Sequence, residues 1–128
     1  MSIGDSKAEP AAVRDDALLG RGQQARLLGV EGEYIGATLP LPFSSGGGVI
    51  TIGRSSSCSV TLAKDDQISR QHMQLELRDG KIYARDKAST YGTRLNSKDI
   101  AKAGDVLVRP GDVLGLGGSA FQLQFGAA

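Results

Sequence analysis

The sequence predicts an all-β fold in which two sheets pack face to face, and three observations carry that reading. From Ala25 onward, short apolar runs are separated by Gly, Pro, Ser and Asp at the spacing of a sandwich or barrel, and no stretch sustains a helical period over about ten residues. In the clearest runs apolar and polar residues alternate, the pattern of a strand with one buried and one wet face. Eighteen glycines, 5% aromatic residues and no Trp describe a turn-rich chain with a core of Val, Leu and Ile.

Met1 to about Gln23 mixes Gly, Ala, Pro and charges without either period, and reads as a flexible tail ahead of a domain covering residues 24–128. Its short apolar patch, Ala17-Leu18-Leu19, is the part able to dock on that domain or to form one helical turn. Strands are then predicted at Ala25–Val30, Ala37–Leu41, Val49–Ile52, Ser59–Leu62, His72–Arg78, Lys81–Asp86, Thr93–Leu95, Val106–Val108, Asp112–Leu116 and Ala120–Phe125. Between the second and third, Ser44-Ser45-Gly46-Gly47-Gly48 reads as a mobile connection. Met73, Leu75 and Leu77 alternate with Gln74, Glu76 and Arg78, and Ile82 and Ala84 with Tyr83 and Arg85. Asp79-Gly80 joins these two strands, a dipeptide suited to a type I′ turn because both central residues need positive φ. A closing hairpin turns at Gly117-Gly118-Ser119.

Bulk properties exclude several function classes. At 128 residues the chain fits one domain with a real core, burying about two thirds of its unfolded surface. Its net charge of +1, from 15 Lys and Arg against 14 Asp and Glu, argues against nucleic-acid or membrane-surface binding. Cys58 stands alone, so no disulfide framework or thiolate zinc site is expected, which suits a reducing compartment. Met1 to Arg14 holds no apolar run of signal-peptide length, and no segment approaches the span of a bilayer. The expectation is therefore a cytoplasmic protein, or a nuclear one in a eukaryote, monomeric and without metal or cofactor.

The chemistry sits in a dispersed polar set at the ends of predicted strands: Gly53-Arg54, Ser69-Arg70-Gln71-His72, Ser89-Thr90-Tyr91-Gly92-Thr93 and Asn96. An Arg, a Ser and a Thr on separate turns of one scaffold would converge on a tetrahedral dianion, since guanidinium and hydroxyl groups are good donors to phosphate. These elements, in this order, resemble the forkhead-associated (FHA) domain family, and the resemblance covers about Ala25 to Phe125. It implies an FHA/SMAD-like sandwich of about eleven strands, without catalytic activity, whose loops at one end bind a phosphothreonine segment of a partner protein. Carried over by position, Arg54 would contact the phosphate, Ser69 would bond a phosphate oxygen, Thr90 would line the pocket and Arg70 would add a second basic contact. Tyr91 and Asn96 complete the candidate phosphopeptide-binding residues, with Gly53, His72 and Gly92 as their structural support.

Each assignment has a plainer rival. Arg54 and Arg70 are each explained as solvated surface arginines, and Ser69 as a hydroxyl closing a turn. His72, the only histidine, is read as a structural residue whose ring bonds hold two loops, because no nucleophile elbow or cysteine-enzyme context accompanies it. Gly92 sits where a side chain would block a turn or a ligand backbone, and Asn96 would also tie a loop through its carboxamide.

Two positions depart from the family pattern. Tyr91 stands where the family has an Asn that bonds the phosphopeptide main chain. A phenol cannot reproduce a carboxamide's paired donor and acceptor, so its ring either forms a shelf for the residue following the phosphothreonine or packs on the domain. Ser97 follows Asn96 where the family commonly has Gly, implying an altered turn. For selectivity beyond the phosphate, Lys64, Gln67, Ile68 and Lys87-Ala88 are candidates, Lys64 favouring acid and Ile68 a hydrophobe.

A phosphate-independent scaffold with a degenerate pocket is the alternative from another class, with Tyr91 as its support. An enzyme is disfavoured, since Asp65-Asp66, the adjacent acidic pair of the folded part, reads as a solvated loop. Self-recognition through the tail is disfavoured too, because residues 1–23 contain Ser2 and Ser6 but no Thr.

Overall fold

A computed structural model describes residues 17–44 and 47–127. The expectations for residues 1–16 and for Ser45-Gly46 lie outside the described residues. Among the described residues eleven strands form, in chain order β1 (Gln23–Glu31), β2 (Thr38–Pro40), β3 (Gly48–Gly53), β4 (Val60–Thr61), β5 (Met73–Arg78), β6 (Lys81–Asp86), β7 (Thr93–Leu95), β8 (Lys98–Asp99), β9 (Val106–Val108), β10 (Val113–Leu116) and β11 (Ser119–Ala127). One sheet has six strands in the order β2-β1-β11-β10-β7-β8, and the other has five in the order β4-β3-β5-β6-β9. A 3-10 turn, Gly32–Tyr34, links β1 to β2.

Alternation in the sequence becomes burial in the structure. Met73, Leu75, Leu77, Ile82 and Ala84 point inward with Ile50 and Ile52, and meet Leu27, Leu114, Leu116, Phe121 and Leu123 from the opposite sheet. Burying one large aliphatic or aromatic side chain is worth about 1.5–3 kcal/mol, so this layer is what holds the two sheets together. The register is set by the β5–β6 hairpin, which pairs Arg78 with Lys81 across Asp79-Gly80. Those two residues take φ of 53° and 76°, as a type I′ turn requires.

Two differences from the sequence reading have clear physical causes. β8 was not foreseen because Lys98 and Asp99 are both polar and exposed, giving no periodic signal. The segment read as a tail up to Gln23 is in contact with the domain from Ala17 onward: Ala17 is 0% exposed and the Leu19 N–H donates to Gly80 O at 2.7 Å. The segment is held at the β5–β6 turn through the Gly80 carbonyl that accepts this bond, while Leu18 stays 46% exposed. In the Ser44–Gly48 connection, Ser44 and Gly47 form an isolated bridge and Gly48 opens β3.

The β7–β8 turn is Asn96-Ser97, with φ of 50° and 73°. Serine therefore occupies a left-handed position that glycine adopts without strain. Ser97→Gly is expected to stabilise the domain by about 1 kcal/mol, a rise of several degrees in Tm for a domain of this size. A thermal melt showing no rise, or a fall, would contradict this account of the turn.

Candidate phosphopeptide site

Three loops and one turn gather at one end of the sandwich, each pinned to the next by hydrogen bonds. The β3–β4 loop meets the β4–β5 loop through Arg54 N–H to Ser69 O at 3.0 Å and Ser55 N–H to Arg70 O at 3.1 Å. Gly53 permits that approach: a Cβ there would lie 2.3 Å from Arg70 O and 2.9 Å from Ser69 O. Cys58, 7% exposed, donates its thiol to the same Arg70 carbonyl at 3.1 Å.

The β6–β7 loop is joined to this pair by Ser69 and His72. Thr90 N–H donates to Ser69 Oγ at 2.9 Å, which leaves the hydroxyl hydrogen of Ser69 free to be donated elsewhere. His72 is 0% exposed; its Nδ1 accepts Ser69 N–H at 2.9 Å and its Nε2 lies 2.8 Å from Gly92 O. Because Nδ1 must be an acceptor, the ring is the neutral tautomer with its hydrogen on Nε2, donated to Gly92 O. Burial, only partly offset by the Gly92 carbonyl and by Asp86, pushes the His72 pKa below its ordinary 6.5. Gly92 itself takes φ of 80°, with nothing closer than Asp99 Oδ1 at 3.5 Å to an added Cβ, so conformation rather than space demands glycine there.

The Arg54 guanidinium is half-buried and held by one bond, Nε–H to Ile68 O at 2.9 Å. Among the described residues no acid pairs with it, and its terminal nitrogens have no protein acceptor. The site thus presents a cationic fork anchored on the carbonyl of Ile68, the residue directly before Ser69 and its free hydroxyl. Arg70 is exposed beside it, and Thr90 and Tyr91 follow along the third loop, Tyr91 at 63% exposure.

Asn96 does not join this cluster. It sits at the opposite end of β7, where its Nδ2 donates to Asp112 Oδ1 at 3.0 Å and its Oδ1 accepts Val113 N–H at 2.9 Å. A candidate contact residue is thereby a turn residue, since β7 carries it a full strand length from Gly92. Ile68 is 0% exposed and packs in the core, so it is unavailable to read a ligand; Gln67, Lys64, Lys87 and Ala88 remain exposed.

Two acids that the sequence did not mark as site residues help to build it. Asp65, 6% exposed rather than solvated, accepts Gln67 N–H at 2.9 Å, Gly118 N–H at 2.9 Å and Ser119 Oγ at 2.7 Å, tying the β4–β5 loop to the β10–β11 turn. Burial works against its charged form, but these bonds outweigh it and hold the carboxyl below its ordinary 3.8. Asp86 closes β6 and accepts Ser89 N–H at 3.0 Å, Ser89 Oγ, and Thr93 Oγ1 at 2.7 Å. Desolvation again opposes its charge and is again overcome by hydrogen bonds, which lower its pKa. An Asp three residues before a Ser at a strand end was the available signal.

A family model for the FHA domain matches residues 50–117, more than half of the chain, and spans every loop of this cluster. The chain belongs to the FHA domain family. Solved FHA domains share its architecture. One from a hypothetical protein of Arabidopsis thaliana is 26% identical with a TM-score of 0.73, covering 90% of this chain and 94% of that one. Another, solved in a study of phosphothreonine-dependent FHA interactions, is 26% identical with a TM-score of 0.66, covering 79% and 95%. The N-terminal FHA domain of S. cerevisiae Rad53p, in complex with a phosphothreonine peptide, is similar in fold alone at 22% identity, with a TM-score of 0.70 and coverage of 80% and 94%. No curated protein matched the chain. FHA domains are phosphopeptide interaction modules and are not catalytic.

Proposed function

We propose that this FHA domain binds a phosphothreonine-containing segment of a partner protein, with Arg54 and Ser69 holding the phosphate, Thr90 lining the pocket and Arg70 adding long-range attraction. The observation that carries the reading is the Arg54 fork, anchored through Nε, lacking an acid partner among the described residues, beside a Ser69 hydroxyl with its hydrogen free. A phosphate dianion supplies the acceptors that both groups lack, and each charge-assisted bond is worth about 1.5–3 kcal/mol. The module recruits partners and does no chemistry on them. A phosphate-independent scaffold is not favoured, because such a protein would have no use for a half-buried, unpaired guanidinium.

Calorimetry with phosphothreonine peptides and their unphosphorylated counterparts tests this. Micromolar binding, about −8 kcal/mol, is expected only for the phosphorylated set. Equal affinity for both sets would overturn the reading.

A further inference from the structure

Tyr91 is a large apolar surface that the fold fixes in place and leaves uncovered. On one side Thr90 is pinned by its N–H to Ser69 Oγ at 2.9 Å, and on the other Gly92 is pinned by its carbonyl to His72 at 2.8 Å. The backbone of Tyr91 is therefore held by its two neighbours, while its side chain stands 63% exposed. Exposure of a ring on a fixed backbone next to donors awaiting an anion marks a recognition element rather than a mobile surface residue.

Resting on the phosphate reading above, we propose that Tyr91 is a specificity-determining residue that selects an aliphatic or proline side chain flanking the phosphorylated threonine. A phosphate bonded to Ser69 Oγ lies beside the Thr90 backbone, and Tyr91 is one Cα step of about 3.8 Å further on. The ligand residue adjoining the phosphothreonine is likewise one Cα step from it, which brings its side chain within reach of an exposed ring at position 91. Charge decides the chemistry of the side chain. Arg54 and Arg70 beside the pocket and exposed Lys87 on the same loop repel a cationic flank, which removes the ligand Lys or Arg that would otherwise stack on the ring. An acidic flank would answer those cations without using the ring, whereas a flat apolar one buries it.

The test is a set of phosphothreonine peptides in which the residues directly before and after the phosphothreonine are varied among Gly, Leu, Pro, Asp and Lys, each titrated into the full chain. Leu or Pro at one flank is expected to bind about three- to tenfold tighter than Gly, as aromatic contacts of this kind are worth. Tyr91→Phe should keep that ratio, and Tyr91→Ala should bring it to near one while still requiring the phosphate and melting at the wild-type temperature. A wild-type preference for Asp, a flat wild-type profile, or an unchanged profile in Tyr91→Ala would each overturn the proposal. Failure of the phosphate reading looks different, since wild type and Arg54→Ala would then bind phosphorylated and unphosphorylated peptides alike.

Discussion

Arg54→Ala is expected to weaken phosphothreonine-peptide binding at least a hundredfold, beyond detection for a micromolar ligand. Two terminal bonds from the guanidinium to phosphate, at about 1.5–3 kcal/mol each, sum to about 3–6 kcal/mol, and every 1.4 kcal/mol is a tenfold change. Arg54→Lys is the sharper comparison. Lysine keeps the charge but cannot hold the Ile68 carbonyl at 2.9 Å and present a planar fork at the same time. Its affinity should fall between the two, about tenfold below wild type, and depend more steeply on salt because the remaining attraction is less geometric. Since Ile68 O loses a donor in both variants, thermal melts must accompany the titrations. A modest loss of about 1 kcal/mol is expected there. Wild-type affinity in Arg54→Ala would remove the phosphate site from this end of the sandwich.

His72→Ala should cost about 3–5 kcal/mol of stability, a fall in Tm of about ten degrees or more. The variant leaves a cavity at a fully buried position and strands two groups, the Ser69 N–H and the Gly92 carbonyl, that no other group among the described residues satisfies. The wild type carries a related pH signature. The unfolded chain takes up a proton at His72 near its ordinary pKa of 6.5, the folded chain only at lower pH. Unfolding is therefore accompanied by proton uptake below about pH 6.5. Stability is full above that value and is lost as pH falls, by at most about 1.4 kcal/mol per pH unit for one site. Asp65 and Asp86, whose pKa values are depressed, add a further loss only as pH drops below their ordinary 3.8. Denaturation between pH 5 and 8 is the measurement, and a stability that is flat across that range, or that rises on acidification, would contradict the neutral, Nδ1-accepting ring.

Much of this architecture was legible in the chain. Ten strands could be placed from period-two alternation and turn chemistry, and the Asp79-Gly80 hairpin was written in its dipeptide. The polar cluster was legible because its members are chemically distinctive and close in sequence to predicted turns. What stayed hidden was decided by long-range contact. Asp65 looks like half of a solvated acidic pair until the β10–β11 turn, 53 residues away, brings an N–H to its carboxylate. Ile68 reads as a loop hydrophobe until the loop folds over the core and buries it. Asn96 belongs to the motif by order, yet β7 runs between it and the pocket, so only topology separates contact residues from turn residues.

The pocket also straddles the seam between the two sheets. Ser69 leads into β5 of the five-stranded sheet, whereas Thr90 and Gly92 lead into β7 of the six-stranded one, and His72 spans the gap. The width of the site is consequently a caliper reading of how the layers are aligned. Any sliding of one layer over the other, by heat, force or a partner gripping a distant edge, would be felt as a change in ligand grip before either sheet lost a strand.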